Sequence, residues 1–263
     1  MARFLLYLLT LSGCAVALSF TRASTVPFLL ISGVIVGLAG PFLDSLVSNW
    51  RYLRPAWYSL RYFKLRIRIS ASYLFRIKLD GGYLLVRGHR WPQYQPVGGV
   101  YKVSAGAKEK LDEMGALDDD LVPVDTISRN DRRIRIPGRN LVSFLRWFES
   151  GHSRETSPWR EFYEELVEPG HVPLSDFPYI FADFIRRDIR PIRFSAYAQS
   201  MELLIADIYE LRPTQEQIDA LQRLRGQGNP DVVWATENQI RRLGTIPGQN
   251  QEIFIAEPAV WTL

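Results

Sequence analysis

Two long apolar stretches open the chain. Residues 4–20 contain no charged side chain over 17 positions, and residues 23–43 contain none over 21. A helix that spans a bilayer needs about 20 apolar residues. The two stretches, separated by Thr21 and Arg22, therefore predict a transmembrane helical hairpin over residues 1–48. Gly33, Gly37 and Gly40 could let the two helices pack closely, or could be ordinary residues of a membrane helix.

Two processing signals leave the fate of the first stretch open. Residues 15–17, Ala-Val-Ala, fit a signal-peptidase site, and residues 11–14, Leu-Ser-Gly-Cys, resemble a bacterial lipoprotein box that ends at Cys14. Either signal would remove the first stretch and leave the second as a stop-transfer helix. Only Arg3 supplies the positive charge that precedes the apolar core of such signals, which favours retention.

A basic and aromatic segment, residues 49–66, follows the second stretch. Residues 49–69 contain no acid, and their cations and aromatic residues interleave: Arg51, Arg54, Arg61, Lys64, Arg66, Arg68, Trp50, Tyr52, Trp57, Tyr58, Tyr62 and Phe63. Positive charge beside a span marks the cytoplasmic side. We therefore expect a multi-pass membrane protein with a cytoplasmic C-terminal domain. The segment favours contacts with anionic lipid in the bilayer, although a nucleic-acid arm has a similar composition.

Charge separates the two parts of the chain. The whole chain carries +4, but residues 1–69 contain eight cations against the single acid Asp44, so the remainder carries −3. That remainder lacks the basic surface expected of a protein that binds a nucleic-acid duplex. It also lacks cysteine, which excludes a disulfide framework and a cysteine nucleophile there. His89, His152 and His171 show no metal-ligand spacing.

The alternation of apolar and polar residues after residue 66 predicts strands and helices of one α/β domain over residues 67–263. Residues 67–79 and 83–86 should be strands joined by the hairpin signal Asp80-Gly81-Gly82. A further strand should leave a Gly98-Gly99 turn through Lys102. Later strands are predicted at residues 179–185, 192–197, 203–209 and 232–234, with a charged turn at 186–190, and helices at 214–224 and 237–243.

An insert of about 103–150 interrupts this domain. Its pattern predicts a helix over residues 107–114 that ends at Gly115, a strand over 132–136 and a helix over 141–148. Asp118, Asp119 and Asp120 are expected to form a solvated loop. Insertions of this length often serve as lids or binding elements.

The strongest chemical signal is the run Arg-Glu-Phe-Tyr-Glu-Glu-Leu at residues 160–166. On a helix capped by Ser157 and begun by Pro158, the acids Glu161, Glu164 and Glu165 share one face. Like charges repel unless a cation lies between them, and Mg²⁺ prefers such oxygen ligands. A solvated amphipathic surface helix is the alternative interpretation.

The run resembles the Nudix box, G-x5-E-x7-R-E-U-x-E-E-x-G-U with U apolar, at Arg160, Glu161, Phe162, Glu164 and Glu165. The upstream strand at residues 83–87, Trp91 and the Pro-Val-Gly-Gly sequence at 96–99 extend the resemblance over roughly residues 68–260. Three positions depart from the pattern. Gly99 precedes Arg160 by 61 residues instead of 14, so about 47 residues are inserted; His152 replaces the first Glu, and Val167 replaces the second Gly.

The resemblance implies a Nudix-type α/β/α sandwich with a mixed sheet and hydrolysis of nucleoside diphosphate-linked compounds. It implies that Mg²⁺ or Mn²⁺ is held by Glu161, Glu164 and Glu165, which Arg160 orients. Gly98 and Gly99 would form the turn that the box helix approaches. Arg87, Trp91 and Tyr94 are candidate substrate contacts, with roles in the core or at the surface as alternatives. Glu155 and Glu202 are candidates for the general base, without a pattern to support either.

The whole architecture resembles the two-transmembrane Nudix effectors of bacterial cyclic-oligonucleotide-based anti-phage signalling systems (CBASS). This resemblance implies a location in the bacterial inner (cell) membrane. Three functions stay open. The protein could be an antiviral effector that hydrolyses a nucleotide. It could be a non-catalytic sensor that binds a cyclic oligonucleotide and disrupts the membrane as a homo-oligomer, or a housekeeping membrane-bound Nudix pyrophosphatase. His152 and the insert favour loss of catalysis, whereas the three retained glutamates favour catalysis.

Overall fold

The computed structural model describes residues 2–23, 25–88, 91–104, 106–119, 134–245 and 253–263. The chain divides into two compact units, Met1–Phe63 and Lys64–Leu263. The first unit contains helices α1 (Ala2–Ser19) and α2 (Val26–Arg61), which pack against each other. Among the described residues, α2 is the one helix long and apolar enough to cross a membrane, whereas the apolar part of α1, Leu6–Ser19, is shorter.

The basic and aromatic segment continues α2 as far as Arg61. The helix passes through Pro41 and Pro55 without ending. Three guanidinium groups lie over tyrosine rings of the same segment: Arg51 over Tyr52 at 5.0 Å, Arg54 over Tyr58 at 5.6 Å and Arg61 over Tyr62 at 5.4 Å.

The second unit is a mixed α/β structure built on two sheets. In the described residues the larger sheet has seven strands: β1 (Arg66–Arg76), β5 (Gly98–Val100), β6 (Leu117–Asp118), β7 (Ile134–Pro137), β8 (Ala182–Ile189), β9 (Arg193–Ser195) and β10 (Ser200–Leu211). The smaller sheet has four: β2 (Lys78–Leu79), β3 (Gly82–Arg87), β4 (Tyr94–Gln95) and β11 (Val232–Thr236). The helices are α3 (Ala107–Glu113), α4 (Leu141–Ser150), α5 (Trp159–Phe162), α6 (Gln215–Gly226), α7 (Glu237–Arg241) and α8 (Pro258–Trp261).

The larger sheet is mixed because β1 runs parallel to β10 and antiparallel to β5 and β7. β1 lies in the middle of the sheet, and its Ile67, Ile69, Tyr73 and Phe75 are almost completely buried. β5 pairs with the second half of β1 through Ser72–Val100, Tyr73–Gly99 and Leu74–Gly98. This pairing brings the Gly-Gly sequence next to the buried aromatic residues of β1.

Several expected elements are confirmed. β1 and β2 cover the strand expected at 67–79, and β2 pairs with β3 across Asp80 and Gly81. Both turn residues have positive φ, 46° and 76°, as a two-residue hairpin requires. α3 ends before Gly115 (φ 65°), and α6 begins with a capping box between Thr214 and Gln217.

Three local expectations are wrong. Gly98 and Gly99 lie in strand β5 and not in a turn. Residues 186–189 continue β8, because Arg187 is paired with the buried Asp207 on β10. Helix α5 begins at Trp159, one residue later than expected, although the Trp159 N–H still donates to Ser157 Oγ at 3.3 Å.

The prediction of a solvated loop at 118–120 is also wrong for the two residues that are described, 118 and 119. Asp118 lies in β6, and Asp119 is buried between the guanidinium groups of Arg68 and Arg135, each at 2.6 Å. Asp120 and residues 132–133 of the strand expected at 132–136 lie outside the described residues, while Ile134–Pro137 forms β7.

Candidate active site

The acidic run lies on a short helix with an expanded last turn. Residues Trp159–Phe162 form α5, and Tyr163–Val167 form a π-helical turn in which the Glu168 N–H donates to Tyr163 O at 2.8 Å. Phe162 and Leu166 are fully buried and anchor this helix to the core. Because these two side chains occupy the face of the helix that packs on the core, the glutamates lie on its other faces. π-turns of this kind are frequent at functional sites.

Arg160 connects the acids of the run. Its Nη1 lies 2.5 Å from Glu161 Oε1 and 2.9 Å from Glu164 Oε2, and its Nη2 donates to Val100 O at 3.1 Å. Burial acts to lower the pKa of the Arg160 guanidinium, but the hydrogen bonds that it donates to Glu155 and the charge of Glu161 raise this pKa above its ordinary value. Arg160 is therefore a permanent cation between the carboxylates.

Glu155 is a site residue that the Nudix pattern does not mark. Its carboxylate accepts hydrogen bonds from Arg160 Nε at 3.1 Å and Nη2 at 3.0 Å, from the Lys102 N–H at 3.2 Å and from the Tyr73 hydroxyl at 3.4 Å. His152, at the position where the pattern expects a glutamate, is exposed. Glu155, three residues later, provides a carboxylate that pairs with Arg160.

Tyr73 joins the two sides of this network. Its hydroxyl also accepts a hydrogen bond from the Glu161 N–H at 3.3 Å. Burial and the neighbouring Glu155 raise the pKa of the Tyr73 hydroxyl far above its ordinary value, so the group remains protonated and can keep donating to Glu155.

Glu165 points to β5 and not to Arg160. Its Oε2 accepts from the Gly98 N–H at 2.7 Å, and its Oε1 accepts from Gln95 Nε2 at 3.4 Å. Burial of the carboxylate raises the pKa of Glu165 to about 8. The two hydrogen bonds act to lower this pKa, whereas the charges of Glu161 and Glu164 act to raise it. A cation bound here would lower that pKa.

The two glycines of β5 allow the helix to approach the strand. Gly98 has φ 145°, and an added Cβ there would overlap the carbonyl oxygen of Tyr73. An added Cβ on Gly99 would overlap the carboxylate of Glu161. The close approach expected for Gly98 and Gly99 is therefore present, but it is made by a strand.

The expected substrate contacts lie in different places. Arg87 lines a cavity of about 270 Å³ together with Glu165. The Tyr94 hydroxyl donates to Pro230 O at 2.7 Å, and its ring packs on the cluster that contains Tyr83 and Leu85. Trp91 is exposed, with its ring edge-on to Tyr197 at 6.3 Å. The structure thus brings Arg87 and Gly98 next to Glu165 and Gly99 next to Glu161, but gives Trp91 and Tyr94 other neighbours.

The other base candidate, Glu202, is held away from this network. It forms an ion pair with the buried Arg68, which also contacts Asp119. Lys102, which the pattern also does not mark, lies 3.5 Å from Glu164 through its Nζ. The sequence marked Glu155 only by its position, as an acid just upstream of the helix.

The donor set fits a hard divalent cation in its chemistry. Three carboxylates lie on one short helix, and one of them, Glu165, has a pKa that a nearby cation would lower. Among the described residues, however, no group of three Asp, Glu, His or Cys side chains converges on one point. Arg160 contacts Glu161 and Glu164, and Glu165 turns to Gly98.

Comparison with known proteins gives a family and several distant structural similarities, of which two are described. No curated protein matches. A UDP-X diphosphatase structure is 10% identical, with 99% of this chain and 92% of that chain covered and a TM-score of 0.27. A bifunctional NMN adenylyltransferase/ADP ribose pyrophosphatase from Francisella tularensis is 9% identical, with 80% of this chain and 44% of that chain covered and a TM-score of 0.23.

The family assignment rests on the second unit. The model of the SMODS-associated NUDIX domain matches residues 66–263, which include the acidic helix, β5 and the insert. Because this match covers most of the sequence, the chain belongs to the SMODS-associated NUDIX domain family.

Proposed function

We propose that the protein is a membrane-anchored effector of a bacterial cyclic-nucleotide anti-phage system whose Nudix domain hydrolyses a nucleoside diphosphate-linked compound. One observation carries the enzymatic part. Glu161 and Glu164 contact Arg160, which also donates to Val100 of β5, and Glu165 accepts from the Gly98 N–H; this contact of the acidic helix with the Gly-Gly strand supports a Nudix site. Family membership over residues 66–263 supports the same assignment.

Glu161, Glu164 and Glu165 would hold the metal, Mg²⁺ or Mn²⁺. When bound, the metal would neutralise pyrophosphate oxygens and help to activate water. Arg160 and Glu155 keep the acids in place, since each oxygen of Glu155 accepts from the guanidinium. Lys102, 3.5 Å from Glu164, is placed to bind a phosphate oxygen of the substrate.

The membrane and defence parts of the proposal rest on the first unit and the family. We assign residues 1–48 to a transmembrane hairpin, 49–66 to a juxtamembrane segment on anionic lipid, and 67–263 to a cytoplasmic Nudix-like domain with its insert at about 103–150. Helix α2 supports the anchor by its length and apolar composition. The SMODS-associated family supports a role in antiviral defence.

A sensor without turnover is the second candidate function. Arg160 already occupies one carboxylate oxygen of Glu161 and one of Glu164, and His152 replaces an acid of the pattern. In that case the domain binds a cyclic oligonucleotide, and the hairpins of a homo-oligomer disrupt the membrane. A third function, a housekeeping pyrophosphatase outside defence, is distinguished by its genome context. The hydrolase effector and the sensor each require a cyclic-nucleotide synthase gene nearby, and the housekeeping enzyme does not.

Turnover by the full-length protein in detergent tests the enzymatic proposal. We expect Mg²⁺-dependent release of phosphate-containing products from at least one member of a panel of nucleoside diphosphate derivatives and cyclic oligonucleotides. Glu164→Gln should abolish it, and Glu168→Gln, which changes an exposed acid next to the same helix, should not. If no compound is turned over and a cyclic oligonucleotide binds tightly, the hydrolase proposal is rejected and the sensor function is supported.

A further inference from the structure

A cavity of about 270 Å³ opens beside Glu165 at the end of β3. Its polar wall consists of Arg87, His171 and Asp231 in addition to Glu165, and Val86 and Pro169 contribute apolar surface. The cavity is smaller than the ~300–1,000 Å³ pockets that enclose drug-sized ligands, so it has room for one nucleoside-sized group.

Three consecutive hydrogen bonds hold this wall in place. The Arg87 N–H donates to Asp231 O at 2.8 Å, and the Asp231 N–H donates to Asn229 Oδ1 at 2.9 Å. The amide orientation that this bond sets makes Asn229 Nδ2 the donor to His171 Nδ1, at 2.9 Å. The ring proton of neutral His171 therefore lies on Nε2. Tyr94 supports the same loop through its bond to Pro230 O.

The charge of the wall does not favour an anion. The guanidinium of Arg87 lies 3.9 Å from the carboxylate of Asp231, and the two side chains are about equally exposed, at 52% and 53%. Burial lowers the pKa of His171, so its imidazole is neutral at pH 7. With Glu165 as a further acid, the described part of the wall has one cation balanced by at least one carboxylate, together with hydrogen-bond donors and an acceptor.

We propose that this cavity binds the uncharged nucleoside part of the substrate, with Arg87 and His171 Nε2 as donors and Asp231 as acceptor. A nucleobase or a ribose presents both donors and acceptors, which matches such a wall. The inference rests on the proposed function for the place of the phosphates, which lie against Lys102 and the glutamates of the helix. It adds His171, Asp231 and Asn229 to the site.

Binding without metal tests this inference separately from catalysis. The full-length protein in detergent with EDTA is dialysed to equilibrium against adenosine, guanosine, cytidine, uridine or inorganic phosphate. We expect saturable one-to-one binding of at least one nucleoside, and no displacement of that nucleoside by phosphate. Arg87→Gln and Asp231→Asn should each weaken it about tenfold or more, since each removes a hydrogen bond to a charged group.

A matched control separates a local effect from a general one. Arg193→Gln breaks another exposed ion pair, Arg193–Glu257, at 3.2 Å, and should leave nucleoside binding unchanged. His171→Gln should weaken binding without lowering the thermal unfolding temperature of the domain appreciably. The inference is overturned if no nucleoside binds at millimolar concentration, if Arg87→Gln and Asp231→Asn bind as the wild type does, or if phosphate displaces the nucleoside.

The same set of measurements distinguishes the two proposals. Loss of Mg²⁺-dependent turnover in Glu164→Gln with no nucleoside binding in EDTA would retain the hydrolase and reject the cavity. Nucleoside binding with no turnover under any condition would retain the cavity and reject the hydrolase.

Discussion

Arg160 holds both carboxylate oxygens of Glu155, with Nε 3.1 Å from Oε1 and Nη2 3.0 Å from Oε2. A paired contact of this kind fixes the plane of the guanidinium as well as its position. The remaining nitrogen, Nη1, then faces Glu161 and Glu164. Glu155 thereby sets the geometry of two candidate metal ligands that it does not itself touch.

Glu155→Gln should lower kcat with little change in KM. Loss of the charge-assisted pair costs about 1.5–3 kcal/mol, which corresponds to a fall of roughly 10- to 100-fold in kcat if the whole loss appears in the transition state. Steady-state kinetics of the detergent-solubilised chain measures it. His152→Gln is the control, because His152 is exposed and should leave kcat unchanged. The reverse pattern, with His152 essential and Glu155 dispensable, would remove Glu155 from the site.

Gly99→Ala should damage the site more than the fold. The added Cβ overlaps the Glu161 carboxylate, which must move, and a displacement of about 1 Å can cost about 100-fold in rate. Overpacking should cost about 1–3 kcal/mol of stability. The control is Gly226→Ala, where nothing lies within 4 Å of an added Cβ and stability should change by less than about 1 kcal/mol. Full activity in Gly99→Ala would show that catalysis does not depend on the present position of the Glu161 carboxylate.

Local signals were sufficient to predict several elements. The hairpin at Asp80 and Gly81 and the cap of α6 at Thr214 depend on residues within a few positions of each other, so a single sequence contains the whole signal. The acidic helix was predictable for the same reason, since Arg160 and the three glutamates lie in one short run.

Contacts between distant residues account for what was not predicted. Residues 186–189 have the composition of a charged turn, but Arg187 is neutralised by Asp207 on the neighbouring strand. Asp119 is buried because Arg68 and Arg135 are brought to it from two strands. The bond from Gly98 to Glu165 likewise depends on strand pairing, and no spacing rule relates those two positions.

Glu165 should make the stability of the metal-free protein depend on pH. Its pKa is about 8 in the folded protein and 4.5 ordinarily, so between these values the folded state binds more protons than the unfolded state. The free energy of unfolding contributed by Glu165 is therefore fully present below about pH 4.5 and is lost as pH rises through about 8, with a slope of at most about 1.4 kcal/mol per pH unit.

Thermal unfolding of the wild type and Glu165→Gln across this range in EDTA isolates that contribution, because all other titrating groups are common to both. We expect the wild type to lose stability relative to the variant as pH rises. Mg²⁺ should reduce the loss if the ionised carboxylate binds it. Parallel curves for the two proteins in EDTA would show that Glu165 ionises normally.

The pair Arg187–Asp207 should be a major determinant of stability although it lies outside the candidate active site. Asp207 is 1% exposed, accepts from Arg187 at 2.6 and 2.7 Å, and accepts from the Tyr101 hydroxyl at 2.7 Å. Asp207→Ala leaves a partly buried guanidinium without its counterion and a buried hydroxyl without its acceptor, so we expect a loss of about 3–5 kcal/mol in the free energy of unfolding. Asp183→Ala is the matched control, since Asp183 pairs with Arg212 at the surface and its loss should cost no more than about 1 kcal/mol. Equal losses in the two variants would mean that burial of Asp207 does not distinguish the two ion pairs, and the strand at 186–189 would then need another source of stability.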